Sequence, residues 1–528
     1  MARNNRGTPR YDPIALAQQQ PSEQDLLVPV SCFDFKGMDA TAPLNLMQPG
    51  VARLVRDLNF RDGAYLTRDG TSVIGSAAAS DLVYALDVTL QDGTSYTLRV
   101  RVDGVDYLVG SGWVAATGDV FNATQGSPFP FTGWGDTLII AGTGKARTVS
   151  FDPVVLTEIP ESPDNIIHLT TFGSRVIASL SDGKVQWTIK DDSTDWTGLG
   201  SGFEDLRSAP GGRPDAQAAV IPVTDEVAYC IRTNSIWQMS LTGNFDAPFN
   251  FSRLFSHIGT SYPQTAVAIP QGVIFLADAQ IWLVTPQGYR EIGEPIKSYI
   301  NASAVTLGKA TATYDVLFKE YKLAIGDKVF RFNLTGGFWT QDSYKFPIRS
   351  IAYTLFANSL TIDQLEGTID SLVGTIDQLG VNRKDPGTIY AMDNSYRYVV
   401  RDDPTRNDED SRDVDSSGDA VTGGFRLETG DIFIRDDGKR KDVVELVLAY
   451  ESSEDVTLTF EYTYDGKTWA FMTQKVAPAT TRPGYLKVSR YADRPFFQFA
   501  VSAAAAPTVR LISLNAMIRE GARIVDAN

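Results

Sequence analysis

Histidine and cysteine are almost absent. The 528 residues hold two of each: His168 and His257, Cys32 and Cys230. Two histidines leave little material for imidazole acid–base catalysis or a multi-histidine metal site, and both are expected to pack in or beside strands. Two cysteines far apart in the chain cannot build a disulfide framework and fit a reducing compartment. Apolar runs are short as well. None reaches the roughly 18 residues of a membrane-spanning helix, so no membrane insertion is expected. The first thirty residues carry Arg3, Arg6, Arg10 and Gln18 to Gln20 without a continuous apolar core, and a secretory signal is not expected. Gly-x-Ser-x-Gly, His-Glu-x-x-His and Cys-x-x-Cys are all missing, so the expectation is no catalytic residue, no cofactor and no metal. Basic residues fall short of acidic ones, 48 against 64, for a net charge of −16. Tight binding to nucleic acid needs clustered Lys and Arg and is disfavoured, whereas DNA could slide past a surface that repels phosphate.

What the sequence does have is 43% hydrophobic residues arranged in short runs, in a chain long enough for two to four domains at about 150 residues each. From about residue 80 to 400, runs of 4 to 8 apolar and aromatic residues alternate with Gly, Asp and Asn turns, as in Arg175 to Leu180 before Asp182-Gly183 and Tyr321 to Ile325 before Gly326-Asp327. Such hairpins in series predict an all-β fold with few short helices, a propeller or a large barrel; the preferred reading is an irregular β-propeller of five to seven four-stranded blades at about 40 to 45 residues each. Trp134, Trp187, Trp237, Trp282 and Trp339 recur beside hairpins, where large aromatics fill the wedge between adjacent sheets. After residue 424, alternating runs such as Val443 to Tyr450, Val456 to Tyr464 and Val509 to Ile518 predict a second domain, a β-sandwich.

Helical signals are few. Val51, Leu54, Val55 and Leu58, behind Pro49, fall at helical spacing, and a second short candidate follows Glu294-Pro295 with Ile296, Tyr299 and Ile300 inward. The clearest repeat is Thr-Ile-Asp-x-Leu at residues 361, 368 and 375, with Ile362, Leu365, Ile369, Leu372, Ile376 and Leu379 at heptad spacing. Gly367 and Gly374, each costing about 1 kcal/mol in a helix, favour three stacked turns over one coiled-coil helix. This apolar face either covers a blade edge or docks on a neighbouring subunit. The expected organisation is a basic Gln-rich arm over 1–30, an entry segment with a short helix over 31–80, the propeller over 81–400 with its insert at 361–379, an acidic linker over 401–424 and the sandwich over 425–528.

Three local patterns suggest chemistry and are each read more simply. Asp413-Val-Asp415-Ser-Ser417-Gly418 matches the opening of a calcium loop, yet its twelfth position is Gly424, not a glutamate. Gly142-Thr-Gly144-Lys145 lacks the spacing of a phosphate loop. Asp191, Asp192 and Asp195 beside Trp196 could pair for glycoside hydrolysis, but Asp, Ser and Thr in one run are also what an exposed turn uses. A propeller-type glycan-binding or glycan-hydrolysing protein is therefore the alternative to a structural role.

Gly37-Met-Asp39, Pro43-Leu-Asn-Leu46, Pro49-Gly50, Asn59-Phe60, Asp62-Gly63 and Arg68-Asp-Gly70 together resemble the opening of the tail nozzle proteins of short-tailed bacteriophages, also called packaged-DNA stabilisation or tail tubular proteins. Phe172-Gly-Ser-Arg175, Asp195-Trp196-Thr197, Ile258-Gly259-Thr260, Ile281-Trp282 and the closing Arg519-Glu-Gly521-Ala-Arg523 are similar to the same family, so that the resemblance spans most of residues 35 to 525; the arm over 1–30 matches nothing in it. The resemblance implies a propeller platform with sandwich domains, assembled as a homo-oligomeric ring of six in the virion tail. Its partners would be a tail adaptor ring, a needle or plug and fibres or spikes, with DNA passing transiently and non-specifically through the lumen. It also implies assembly in the host cytoplasm and no catalytic residues.

Overall fold

Tight turns between short apolar runs set the architecture. The computed structural model describes residues 27–31, 36–41 and 51–523, apart from 62, 125–128, 207–214, 301–306, 359–382, 394–395, 404–412, 430–438, 464–466 and 493–497. At Asp182-Gly183 the glycine sits at φ +94°, a conformation that costs a residue without Cβ nothing, and the chain reverses from Arg175–Leu180 into Lys184–Trp187.

Repetition of this device gives seven antiparallel sheets arranged as a propeller. Blade 1 runs Leu82–Thr89, Ser95–Arg101, Gly104–Val109 and Gly112–Ala115. Blade 2 holds Phe131–Trp134, Thr137–Ile140, Arg147–Ser150 and Val155–Glu158, with Thr117–Gly118 added in parallel at its rim. Blade 3 is Ile166–Phe172, Arg175–Leu180, Lys184–Trp187 and Gly202–Asp205; blade 4 is Gln217–Pro222, Val227–Arg232, Ser235–Leu241 and Phe249–Ser256. Blade 5 is Val267–Ile269, Gly272–Ala277, Gln280–Thr285 and Gly288–Glu291; blade 6 is Thr311–Asp315, Glu320–Ile325, Lys328–Asn333 and Phe338–Ser343. Blade 7 takes three strands from Ile348–Asn358, Arg383–Met392 and Val399–Asp403, and its fourth, Gly70–Ile74, from ahead of blade 1. The first strand of each blade lies against that of the next, from blade 7 back to blade 1, so the wheel is closed by a strand from the other end of the chain.

Alternation along each strand is what stacks the blades. In Val227–Arg232, Ala228 and Cys230 face blade 3 and meet Ile177, Val185 and Trp187, while Tyr229 and Ile231 face blade 5 and meet Val273 and Phe275. Both faces are therefore apolar, and the second strand of blade 3, Arg175–Leu180, is buried throughout. Trp187, Trp237 and Trp282 occupy the third strands of blades 3, 4 and 5 and pack between blades, as large aromatics in wedge-shaped gaps should.

The sandwich is built from both ends of the chain. One sheet runs Ala52–Arg56, Phe425–Thr429, Gln498–Ala503, Val456–Thr463 and Ala470–Ala477; it continues blade 6, because Arg56 pairs in parallel with Gln341. The other holds Leu58–Arg61, Ala64–Thr67, Val509–Arg523, Lys439–Ser452 and Thr480–Ala492, with Leu27–Ser31 beside Val509–Arg523. A single core joins Leu448, Leu458, Phe460 and Leu511 of the sandwich to Ile281, Tyr321, Phe330 and Trp339 of blades 5 and 6. Gly37 and Gly259, two glycines of the resemblance, sit at close approaches: a Cβ at the first would lie 2.5 Å from Phe338, and one at the second 1.9 Å from the carbonyl of Arg232.

Three expectations are corrected. Residues 51–58 are not helical: Ala52–Arg56 and Leu58–Arg61 are strands of opposite sheets, and between them Asp57 at φ +58° turns the chain. That turn resets the side-chain alternation, and two short strands then mimic a spacing of 3 and 4. The segment over 401–424 is not a solvated linker in its described parts, since Val399–Asp403 is a strand of blade 7 and Asp402 and Asp413 are buried, each hydrogen-bonded by a residue distant in sequence. The entry segment over 31–80 supplies strands to the sandwich and to blade 7, and Ala470–Ala477 is a strand the composition did not announce. The turn after Gly293 does form, as Glu294–Ile296 and Lys297–Ile300, with Ile296 and Ile300 buried.

Candidate functional site

Ile362, Leu365, Ile369, Leu372, Ile376 and Leu379 lie outside the described residues. The other candidates have definite places. Asp192 Oδ1 accepts from the backbone and hydroxyl of Thr194 at 2.8 and 2.7 Å, and these bonds hold its carboxyl below the ordinary range. Asp195 Oδ1 accepts from the amides of Thr197 and Gly198 at 3.0 and 2.7 Å, and Trp196 is buried in the blade 2–blade 3 core. This is turn geometry; a glycosidic acid needs a carboxyl held above its ordinary range, and Asp192 is shifted the other way. Asp413 of the calcium-like pattern is taken by Arg68 at 2.6 Å, and Asp415 accepts the amides of Ser417 and Asp419 at 2.8 and 3.1 Å. Burial lowers His168 to about 4 and pushes the Cys230 thiol up to about 12. The imidazole is thus neutral and the thiol protonated near pH 7.

The axis of the wheel is narrow. Tyr84, Phe131, Ile167, His168, Gln264 and Ala312, from blades 1, 2, 3, 5 and 6, enclose a cavity of about 160 Å³, room for about five waters at roughly 30 Å³ each. Tyr84 and Phe131 pack with ring centroids 5.1 Å apart and planes tilted by 53°, and the Tyr84 hydroxyl donates to the carbonyl of Ile351 in blade 7. A duplex, with a major groove alone about 12 Å wide, does not fit along this axis.

A buried cluster of charged side chains lies where the sandwich, blade 6 and blade 7 meet. Arg68, just ahead of the strand that closes the wheel, donates from Nε to Asp57 at 3.1 Å and from Nη2 to Asp413 at 2.6 Å and to the Ser343 carbonyl at 3.3 Å. Arg331 pairs with Asp342, Arg61 with Glu320 at 2.6 Å, and Lys322 with Asp315 at 2.7 Å. Tyr344 and Tyr390 share a hydroxyl contact of 2.6 Å, and Tyr390 donates to Asp402 at 3.0 Å. An adjoining cavity of about 240 Å³ is lined by Asn59, Arg61, Lys322, Arg331 and Asp402 among others.

Six acids (Asp57, Asp315, Glu320, Asp342, Asp402, Asp413) face five bases (Arg56, Arg61, Arg68, Lys322, Arg331) in this network. Two of the acids are raised above the ordinary carboxylate range: Asp57, by burial against the pull of Arg68, and Asp402, by burial against Lys322 and Arg331. Two others are lowered: at Asp315 and Glu320 burial is outweighed by Lys322 and by Arg61. Burial also acts to lower Arg68 and Arg331, but Asp413 and Asp342 outweigh it and both stay charged. The network clasps three segments distant in sequence. No step of substrate chemistry needs it, and each charged group is turned toward a protein partner.

Nothing in the residue pattern marked this network beforehand. One signal could have: Lys322 lies directly opposite Arg331 on the neighbouring strand, a like-charge pair that demands counter-ions nearby.

No family model matches the chain, and no curated protein matches it. Among solved structures, the WD40 β-propeller domain of Doa1 is 10% identical, over 63% of this chain and 96% of that one, with a TM-score of 0.41. BamB from Moraxella catarrhalis is 12% identical, over 66% and 95%, with a TM-score of 0.36. The fold assignment rests on the strand pairing.

Proposed function

We propose that this chain is a structural subunit of a short-tailed phage tail, forming the nozzle ring through which genomic DNA is retained and then ejected. The observation that carries the reading is the narrow axis of a closed wheel. Tyr84, Phe131 and their neighbours leave a cavity of only about 160 Å³ at the centre of the propeller, so a conduit for DNA would lie between chains and require an oligomer, taken as a ring of six. A second support is rigidity: one sheet runs unbroken from blade 6 into the sandwich, and the buried ion network ties the closing strand to both.

The net charge of −16 fits a wall past which DNA moves without sticking, and six copies would carry 6 × −16 = −96. Asp402 and Asp413, being buried, are not among the acids that meet DNA; Asp419 is exposed and remains available. The ring would sit in the virion tail below an adaptor ring, closed by a needle or plug and flanked by fibres or spikes. The test is DNA retention: particles assembled without this chain should package DNA and lose it to nuclease. Particles that keep nuclease-resistant DNA without it would overturn the proposal.

A further inference from the structure

We infer that the outer edge of blade 3 docks on the sandwich edge of a second copy of this chain. The inference deepens the ring reading and rests on it only for closure of the contact into a ring. Two exposed patches carry it. On blade 3, Leu199 and Phe203 are 78% and 58% exposed, with exposed Phe245 of blade 4 against Gly200 beside them. Residues 191–205 hold five acids and no base. On the sandwich, Phe471, Val476 and Tyr485 are 63%, 57% and 69% exposed, and residues 467–490 hold five bases and no acid.

Each patch thus combines large apolar side chains with an excess of one sign, acidic on blade 3 despite Lys184 over the Phe203 ring and basic on the sandwich despite Glu445 beside Lys487, and the two signs are opposite. Both also include strands that end their sheets: Gly202–Asp205, which carries Phe203, in blade 3, and Ala470–Ala477 and Thr480–Ala492, which carry Phe471, Val476 and Tyr485, in the sandwich. An apolar side chain on a terminal strand is a template for association unless something covers it. The two patches cannot cover each other within one chain. The sandwich is continuous with blade 6, and blade 3 is three blades away, the greatest separation a wheel of seven allows.

Like patches do not pair either, because blade 3 on blade 3 would set acid against acid. What remains is contact between unlike patches of two copies. That contact is heterologous, and its repetition closes into a ring or runs on as an open chain, depending on the rotation between neighbours. Its chemistry is charge complementarity around an aromatic centre, which favours the right register over the wrong one.

The test uses two variants of the full chain. The first, Glu204→Lys with Asp246→Lys, makes the blade 3 edge basic; the second, Arg482→Glu with Lys487→Glu, makes the sandwich edge acidic. All four side chains are exposed, so both variants should fold, which circular dichroism checks. By sedimentation, wild type should assemble, and each variant alone should associate at least about a hundredfold more weakly because like charges now face each other. A mixture of the two should assemble again, since each variant then offers the face its neighbour needs. Variants that assemble singly like wild type would overturn the inference and leave the ring reading standing. Open chains in place of closed rings would keep the contact and overturn the ring. Wild type that stays monomeric at its highest soluble concentration would overturn both.

Discussion

Replacing Arg68 by Met should release the strand that closes the wheel. Arg68 is 4% exposed and holds Asp57 at 3.1 Å and Asp413 at 2.6 Å, besides the carbonyls of Asp69 and Ser343. Methionine fills much of the volume but leaves the buried Asp413 without the cation that holds it at 2.6 Å, and removing one partner of a buried pair costs about 3–5 kcal/mol. The next residues, Gly70–Ile74, pair with Val399–Asp403, and Thr71 is bonded to Asp413 and to the amide of Val414. The loss should therefore appear first as local opening of blade 7. At about 1.4 kcal/mol per tenfold, amide exchange in Gly70–Ile74 and Val399–Asp403 should accelerate roughly a hundredfold to several thousandfold. Exchange in Val176 to Leu180 of blade 3, far from the network, should be unchanged. Arg68→Lys should fall between, since it keeps the charge but loses the fork that reaches two carboxylates. Exchange at Gly70–Ile74 within threefold of wild type in Arg68→Met would refute the clasp.

Other outcomes follow from the same geometry. Asp402 is raised by burial, so the stability it contributes is full below about pH 3.9 and is lost as pH rises through its folded value. Asp402→Asn, which keeps the acceptor for Tyr390, should therefore match or exceed wild type in urea midpoint at pH 8. Glu320 is lowered, with burial outweighed by Arg61, so its contribution is present above about pH 4.3 and lost as pH falls through its folded value. Glu320→Gln should flatten the acid limb of the urea-midpoint curve and lower its neutral plateau. Cys230, at about 12 and buried, should resist maleimide in the native protein and react only after unfolding, read by mass spectrometry of its peptide. Asp195→Ala removes the acceptor for two amides and should lower stability by about 1 kcal/mol while the chain stays folded, measured by denaturation with circular dichroism.

Local signals in the chain were readable and distant ones were not. Asp182-Gly183 and Gly326-Asp327 announced their hairpins, because an Asp-Gly turn needs nothing beyond its own residues. Single strands within blades 2 to 6 could be read from such turns, but not where one blade ends and the next begins. The fourth strand of blade 7 could not: Gly70–Ile74 meets Val399–Asp403 across more than 300 residues, and that pairing leaves no trace in either segment. The same holds for the sandwich, whose strands at Ala52–Arg56 and Ala64–Thr67 belong with partners near the other end of the chain. The charged network was hidden for a further reason. Glu320, Lys322 and Arg331 occupy alternate positions that in an ordinary antiparallel strand face water, and only the arrival of Arg61, Asp315 and Asp342 makes that face an interior. Acids at 402 and 413 looked like a solvated run because their counter-groups, Tyr390 and Arg68, are not their sequence neighbours.

The central claim is that DNA passes between copies of this chain and not through any one of them. Electron cryomicroscopy of the assembled tail tests it most directly. The account predicts a closed ring of six in which each propeller axis is narrowed by Tyr84, Phe131 and their neighbours and the open channel is bounded by the outer surfaces of several subunits. A monomer on the tail, or duplex density running down a propeller axis, would contradict it.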